Sequence, residues 1–153
     1  MNRIFTIGGV HCDYLVRLQL FPKTDSRIGY VRLTVEGATA KAKENSLPLE
    51  YDLGWRDVAA IIRVLADETE RADGKNTLGS YQVFRATDGG DEPVYAFAVR
   101  SHKANILVSR PCNTAFIDNI AATALFHVLA HSLTALTFGE PQFALSGAIA
   151  PVS

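Results

Sequence analysis

The sequence predicts an α+β fold in which a mixed or antiparallel sheet is backed by one long apolar helix. Three features predict it. Short segments on both sides of residue 58 read as strands, and residues 30–36 alternate apolar with polar residues, the period of a half-buried strand. Val58, Ile61, Ile62 and Leu65 fall at i, i+3, i+4 and i+7, the stripe of an amphipathic helix. Residues 119–139 contain no Asp, Glu, Lys or Arg.

In chain order, residues 3–10 and 14–20 read as strands, with Gly8-Gly9 allowing a turn or bulge between them. Residues 21–26 are loop material, and residues 30–36 alternate Val31, Leu33 and Val35 with Arg32, Thr34 and Glu36. Residues 37–51, polar and rich in small side chains, are expected to be a mobile connection. The striped helix is expected to begin near Trp55 and end before a turn at Asp73-Gly74. Residues 78–85, 94–100 and 104–110 then read as three strands joined by linkers short enough for hairpins. Asp118 is placed to cap the apolar helix, Gly139 to end it and Pro141 to prevent its return. Residues 143–150 suit a last strand. No internal sequence repeat is present.

The chain has 153 residues, 48% of them hydrophobic, enough for a single domain spanning 1–153 with a sizeable core. Its formal net charge is -1 and no Lys/Arg run exceeds two, which argues against a nucleic-acid polymer as partner but not against one nucleotide in a pocket. Cys12 and Cys112 form neither a disulfide framework nor a zinc-ligand pattern, and the N-terminal residues lack the order of a signal peptide. A cytoplasmic protein is expected. Residues 119–139 approach the length of a membrane span, yet carry Asn119, Thr123, His127, His131, Ser132, Thr134 and Thr137. That polar load predicts a helix enclosed in a protein core and no membrane partner.

Ile7-Gly8-Gly9-Val10 resembles the opening strand of ribokinase-type sugar kinases, but a chain this short has no room for their anion hole and distant catalytic Asp. His127 and His131, one helical turn apart, could share a metal, but no third ligand is identifiable. Asp88, Asp91 and Glu92 beside Gly89-Gly90 read as a solvated hairpin turn. No metal and no cofactor are expected.

The segment Val108-Ser109-Arg110-Pro111-Cys112-Asn113, followed by Asp118-Asn119-Ile120-Ala121-Ala122-Thr123-Ala124-Leu125 and Leu136-Thr137-Phe138-Gly139-Glu140, resembles the signature of the thymidylate synthase and pyrimidine hydroxymethylase family. The similarity is clear over about 35 residues and absent from the first 50. It implies a shortened member with a thymidylate-synthase-like fold. Arg110 would grip a nucleotide 5′-phosphate through its planar fork, Asn119 would read the pyrimidine edge, and the Asn113 backbone N–H would meet the base. Cys112 matches a family cysteine that is not the nucleophile. Where the nucleophile belongs stand Gly90-Asp91-Glu92-Pro93, so no catalytic residue is assigned and methyl transfer is not expected. Pro111 replaces a phosphate-binding serine, and Ser146-Gly147-Ala148 replaces the sugar-binding ending.

Three functions follow: a non-catalytic pyrimidine-nucleotide binder, a protein-interaction module (of phage origin) that reuses the fold, or an altered pyrimidine C5-modifying enzyme. A homodimer is expected from the family's back-to-back sheets. It is also expected from residues 94–99, apolar on both faces of a strand that one helical layer cannot cover.

Overall fold

The computed structural model describes residues 3–8, 13–87, 93–103 and 111–138. Two antiparallel sheets, not one, make up the architecture. Sheet 1 contains β1 (Arg3–Gly8), β2 (Tyr14–Phe21), β3 (Tyr30–Gly37) and β4 (Leu49–Leu53), with the short helix α1 (Ala40–Asn45) between the last two. After α2 (Trp55–Leu65), sheet 2 contains β5 (Arg71–Lys75), β6 (Gly79–Thr87), β7 (Pro93–Ser101) and β8 (Cys112–Ile117), and α3 (Asn119–Phe138) follows. Each sheet keeps its strands in sequence order. The chain therefore lays down four strands and a helix twice, a structural repeat with no counterpart in the residues.

Alternation sets the inner faces. Val16, Leu18 and Leu20 on β2 and Val31, Leu33 and Val35 on β3 are buried. They share one core cluster with Val83 on β6, Phe97 on β7, and Ala115 and Ile117 on β8. Tyr81, Tyr95 and Phe97 are its largest fully buried side chains. Each such burial is worth about 1.5–3 kcal/mol before conformational entropy is set against it. The facing sheet covers the inner face of β7; on its other face Val94 and Ala96 are 6% and 0% exposed.

The predicted stripe is the buried face of α2, through Val58, Ile61, Val64 and Leu65, with Ile62 packed beside it. The helix stops earlier than expected. Asp67 takes a left-handed φ of 61°, Glu68 N–H donates to Arg63 O at 2.9 Å, and the chain turns directly into β5. Asp73-Gly74 is thus inside a strand rather than a turn. Gly74 is required there because a Cβ would stand 2.7 Å from the Tyr81 ring. The connection expected at residues 37–51 is also structured. Thr39 Oγ1 accepts from Ala42 N–H at 3.1 Å to start α1, and Leu49, Tyr51 and Leu53 point inward from β4.

Asp118 caps α3 as expected, its Oδ1 accepting from Ala121 N–H at 2.8 Å. α3 is not enclosed in the core. Ala122, Leu125, Leu129, Ser132, Ala135 and Leu136 are buried, while Ile120 and Phe138 are more than four-fifths exposed. Among the described residues α3 is the one helix long and apolar enough to cross a membrane by length and composition, with 33% of its most apolar window buried. Its polar load is smaller than it reads, because Thr123, Ser132 and Thr137 each donate to the carbonyl four residues earlier. The β2–β3 loop seats on its C-terminal end. Lys23 N–H donates to Ala135 O at 3.0 Å, and a Cβ on Gly29 would lie 3.1 Å from the Leu136 Cα.

Candidate functional site

The alternation that buries one face of each sheet exposes the other. On sheet 1, Arg17, Gln19 and Phe21 of β2 lie beside Tyr30, Arg32 and Glu36 of β3 and Glu50 and Asp52 of β4. Phe21 and Tyr30 are register partners at the end of the hairpin, and their rings stack at 4.6 Å with an interplanar angle of 11°. Guanidinium groups gather over this stack. Arg32 lies 5.2 Å from the Phe21 centroid and 5.7 Å from Tyr30, and Arg27 from the loop lies 5.9 Å from Phe21.

Arg32 is held in place by Asp52, its Nε donating to Oδ1 at 2.9 Å and its Nη2 to Oδ2 at 3.4 Å. That hydrogen bond outweighs desolvation and raises the Arg32 pKa above its ordinary value, so the group stays cationic. Arg17 Nη2 pairs with Glu36 Oε1 at 2.6 Å. Both pairs are partly exposed, and such pairs contribute about 0–1 kcal/mol to stability. What the Asp52 pair fixes is direction: Arg32 stays aimed across the Phe21 and Tyr30 rings.

The outer face of sheet 2 has the same two ingredients in another arrangement. Register places Arg71, Phe84, Ala96 and Phe116 in one row across the four strands. Ala96, which is fully buried, lies between the two phenylalanines. A second row runs Lys75, Ser80, Arg100 and Cys112, and Asp73 begins a third. Three cations, Arg71, Lys75 and Arg100, thus share a face with one carboxylate, Asp73. At its edge a shallow pocket of about 280 Å³ is lined by Glu70, Arg71, Gln82, Phe84 and Arg85.

Of the three residues expected to hold a nucleotide, the structure describes Asn113 and Asn119. Arg110 lies outside the described residues, as do Gly90, Asp91, Glu92 and the predicted strands at 104–110 and 143–150. Asn113 is 2% exposed, and its Nδ2 donates to Val35 O at 2.9 Å and to Leu47 O at 2.8 Å. Its amide therefore joins β8 to sheet 1. Asn119 is exposed at the first turn of α3, its carbonyl accepting from Thr123. Cys112 is exposed, with Sγ 3.9 Å from Thr114 Oγ1. Among the described residues no three His, Cys, Asp or Glu side chains come together as a metal site.

No family model and no curated protein matches the chain. Solved structures do. The WHY3 structure from Arabidopsis thaliana superposes with a TM-score of 0.63 at 11% identity, covering 90% of this chain and 89% of that one. WHY1 from the same plant gives 0.66 at 11% identity, over 90% and 86%. The MRP1/MRP2 structures from Trypanosoma brucei give 0.56 at 16% identity, over 90% and 96%. The fold is that of the WHY and MRP proteins.

The likeness to thymidylate synthase is thereby overturned, and with it the expected pyrimidine-nucleotide pseudoenzyme. Its clearest stretch was an Ala/Leu-rich helix, and any helix packed against a sheet shares that composition. It also left residues 113–117 without an element, although Asn113, Ala115 and Ile117 alternate with Thr114 and Phe116 as strand β8 does. The WHY (Whirly) proteins are single-stranded-DNA-binding and MRP1/MRP2 are RNA-binding. The expectation against a nucleic-acid polymer falls as well. A net charge of -1 averages over all surfaces and conceals a face with three cations to one carboxylate. The signal missed in the sequence was the outward half of each alternation, Arg17, Gln19 and Phe21 on β2 above all.

Proposed function

We propose that the protein binds single-stranded nucleic acid on the outer faces of its sheets. The observation that carries this reading is the Phe21–Tyr30 stack with Arg27 and Arg32 beside it on an open strand face. Unpaired bases stack on exposed aromatic rings with a gain of about 1–3 kcal/mol each, whatever the base, while cations follow the phosphates. Phe84 and Phe116, flanked by Arg71 and Arg100, offer a second run of the same chemistry. The WHY and MRP fold neighbours support the reading. Flat strand faces stack bases well but put no helix into a major groove, so single strands are favoured over duplex.

The test is fluorescence anisotropy with a labelled oligo(dT), the same-length oligo(U) and a duplex, at two salt concentrations. Single strands are expected to bind with Kd of about 10⁻⁵ M or tighter, weakening with salt by a log–log slope near −0.7 per phosphate contact. Duplex is expected to bind more weakly, and dUMP not to compete. A flat titration with both single strands at low salt rejects the proposal.

A further inference from the structure

The aromatic row at the end of sheet 1 continues past β3. Leu53, the last residue of β4, is the register partner of Val31. One step further along, Gly54 comes beside Tyr30, which is itself the partner of Phe21. Phe21, Tyr30 and Gly54 thus follow one another across three strands, and Trp55 is the next residue, opening α2. Gly54 is extended, with φ -79° and ψ 176°, and a Cβ built on it would meet nothing nearer than Asp57 Oδ2 at 3.9 Å. The space over it is open. Trp55 is 47% exposed, although tryptophan is highly buried on average. The Arg56 guanidinium stands 5.2 Å from the Trp55 ring centroid, repeating the pairing of Arg27 and Arg32 with the Phe21–Tyr30 stack. Asp52 and Asp57, the carboxylates on either side of Trp55 in the chain, are both engaged. Arg32 holds the first, and the second accepts from Gly54 N–H at 3.1 Å and from the Tyr81 hydroxyl at 2.9 Å.

Given the single-strand reading of sheet 1, on which this rests, we propose that Trp55 is a further base-stacking platform. The bound strand then runs across β2, β3 and the end of β4 onto α2, where Arg56 meets a phosphate. The indole supplies a broad ring face, and Gly54 leaves room for the nucleotide that bridges from Tyr30. A strand lying along β2 and β3 instead would leave the stack toward Glu36 and Glu50, where two carboxylates face one cation, Arg17. Like charges there oppose phosphate, whereas the path onto α2 leads to a third guanidinium.

Trp55 is the one tryptophan of the chain, so tryptophan emission reports on this position alone. The test is a pair of titrations of the full chain, anisotropy with labelled oligo(dT) and tryptophan emission with the unlabelled oligomer. Binding is expected to quench Trp55 with the Kd of the anisotropy curve and to cut its quenching by acrylamide by about twofold or more. Trp55→Ala should weaken oligo(dT) by about fivefold or more, and Trp55→Phe, which keeps a ring, by less than about threefold. Arg56→Ala should flatten the salt slope by about 0.7. Melting curves matching the parent's identify the variants as folded. If anisotropy rises while Trp55 emission and acrylamide access stay unchanged, the path over Trp55 is overturned and the sheet-face reading stands. The same holds if folded Trp55→Ala binds as the parent does. If neither signal changes, both fall together.

Discussion

The Tyr95 hydroxyl donates to Asp67 Oδ1 at 2.8 Å, and Arg85 Nη1 reaches the same oxygen at 3.1 Å. Asp67 holds a φ of 61°, in the left-handed region where a side chain is disfavoured and glycine is not. One carboxylate thus ties the end of α2 to β6 and β7 at a position of backbone strain. Asp67→Ala loses both hydrogen bonds and keeps the strain, so it should cost about 2–3 kcal/mol. Asp67→Gly loses the same bonds but relieves the backbone, and should recover about 1 kcal/mol of that. Urea unfolding of the two variants checks the order. A glycine variant no more stable than the alanine one would remove strain from the account.

Burial, then the Asp67 hydrogen bond and charge, pushes the Tyr95 pKa up to about 12. Burial chiefly, with Asp57 adding charge and a hydrogen bond, drives Tyr81 still further in the same direction. Both phenols have folded values above their unfolded one of ~10. Their contribution to stability is therefore complete below pH ~10 and is lost as pH rises, through about 12 for Tyr95. Stability should fall across that window, and Tyr95→Phe should flatten the fall. Melting temperatures from pH 9 to 12 measure it, and identical slopes for parent and variant would refute the assignment.

Asn113 donates both amide hydrogens to backbone carbonyls, of Val35 and Leu47, at the seam between the sheets. Truncation takes the donor from the buried Val35 carbonyl, at about 1–3 kcal/mol for an unsatisfied buried group, and from the part-buried Leu47 carbonyl. Asn113→Ala should lose about 2–4 kcal/mol in chemical denaturation, and Asn113→Asp more, because it sets acceptors against acceptors. A loss below about 1 kcal/mol would mean that water replaces the amide.

On the sheet 1 face, Tyr30→Ala and Phe21→Ala should each weaken oligo(dT) binding by about 1–3 kcal/mol, with little change in salt dependence. Arg27→Ala should instead flatten the salt slope by about 0.7, the signature of a lost phosphate contact. Anisotropy titrations at several salt concentrations separate the two. If Phe84→Ala weakens binding while Tyr30→Ala does not, the strand runs over sheet 2 instead.

Most of the strands were legible because their alternation is strong. Val31, Leu33 and Val35 announce β3 with no help from elsewhere, and the Val58 stripe announces α2. β5 was not legible, because Gly74 reads as a turn until the Tyr81 ring that needs its space is known. β4 was hidden by the polar, small-residue stretch before it, since three inward residues are too few to outweigh that composition. The split into two sheets was illegible for a different reason. Nothing local distinguishes one eight-stranded arrangement from two of four, and the decision rests on pairings such as Asn113 with Val35 across 78 positions. The candidate interface stayed hidden because Phe21 and Tyr30 look like hairpin ends until their register is known.

Strand order equal to sequence order has a kinetic consequence. Every ladder joins consecutive strands, so each sheet closes through local connections with small entropic cost. Contacts between the sheets, the Asn113 tie among them, require both meanders to exist first. Substitutions inside a hairpin, at Leu33 or Val83, therefore slow refolding. Substitutions at the seam leave the refolding rate nearly untouched and instead shorten the lifetime of the native state.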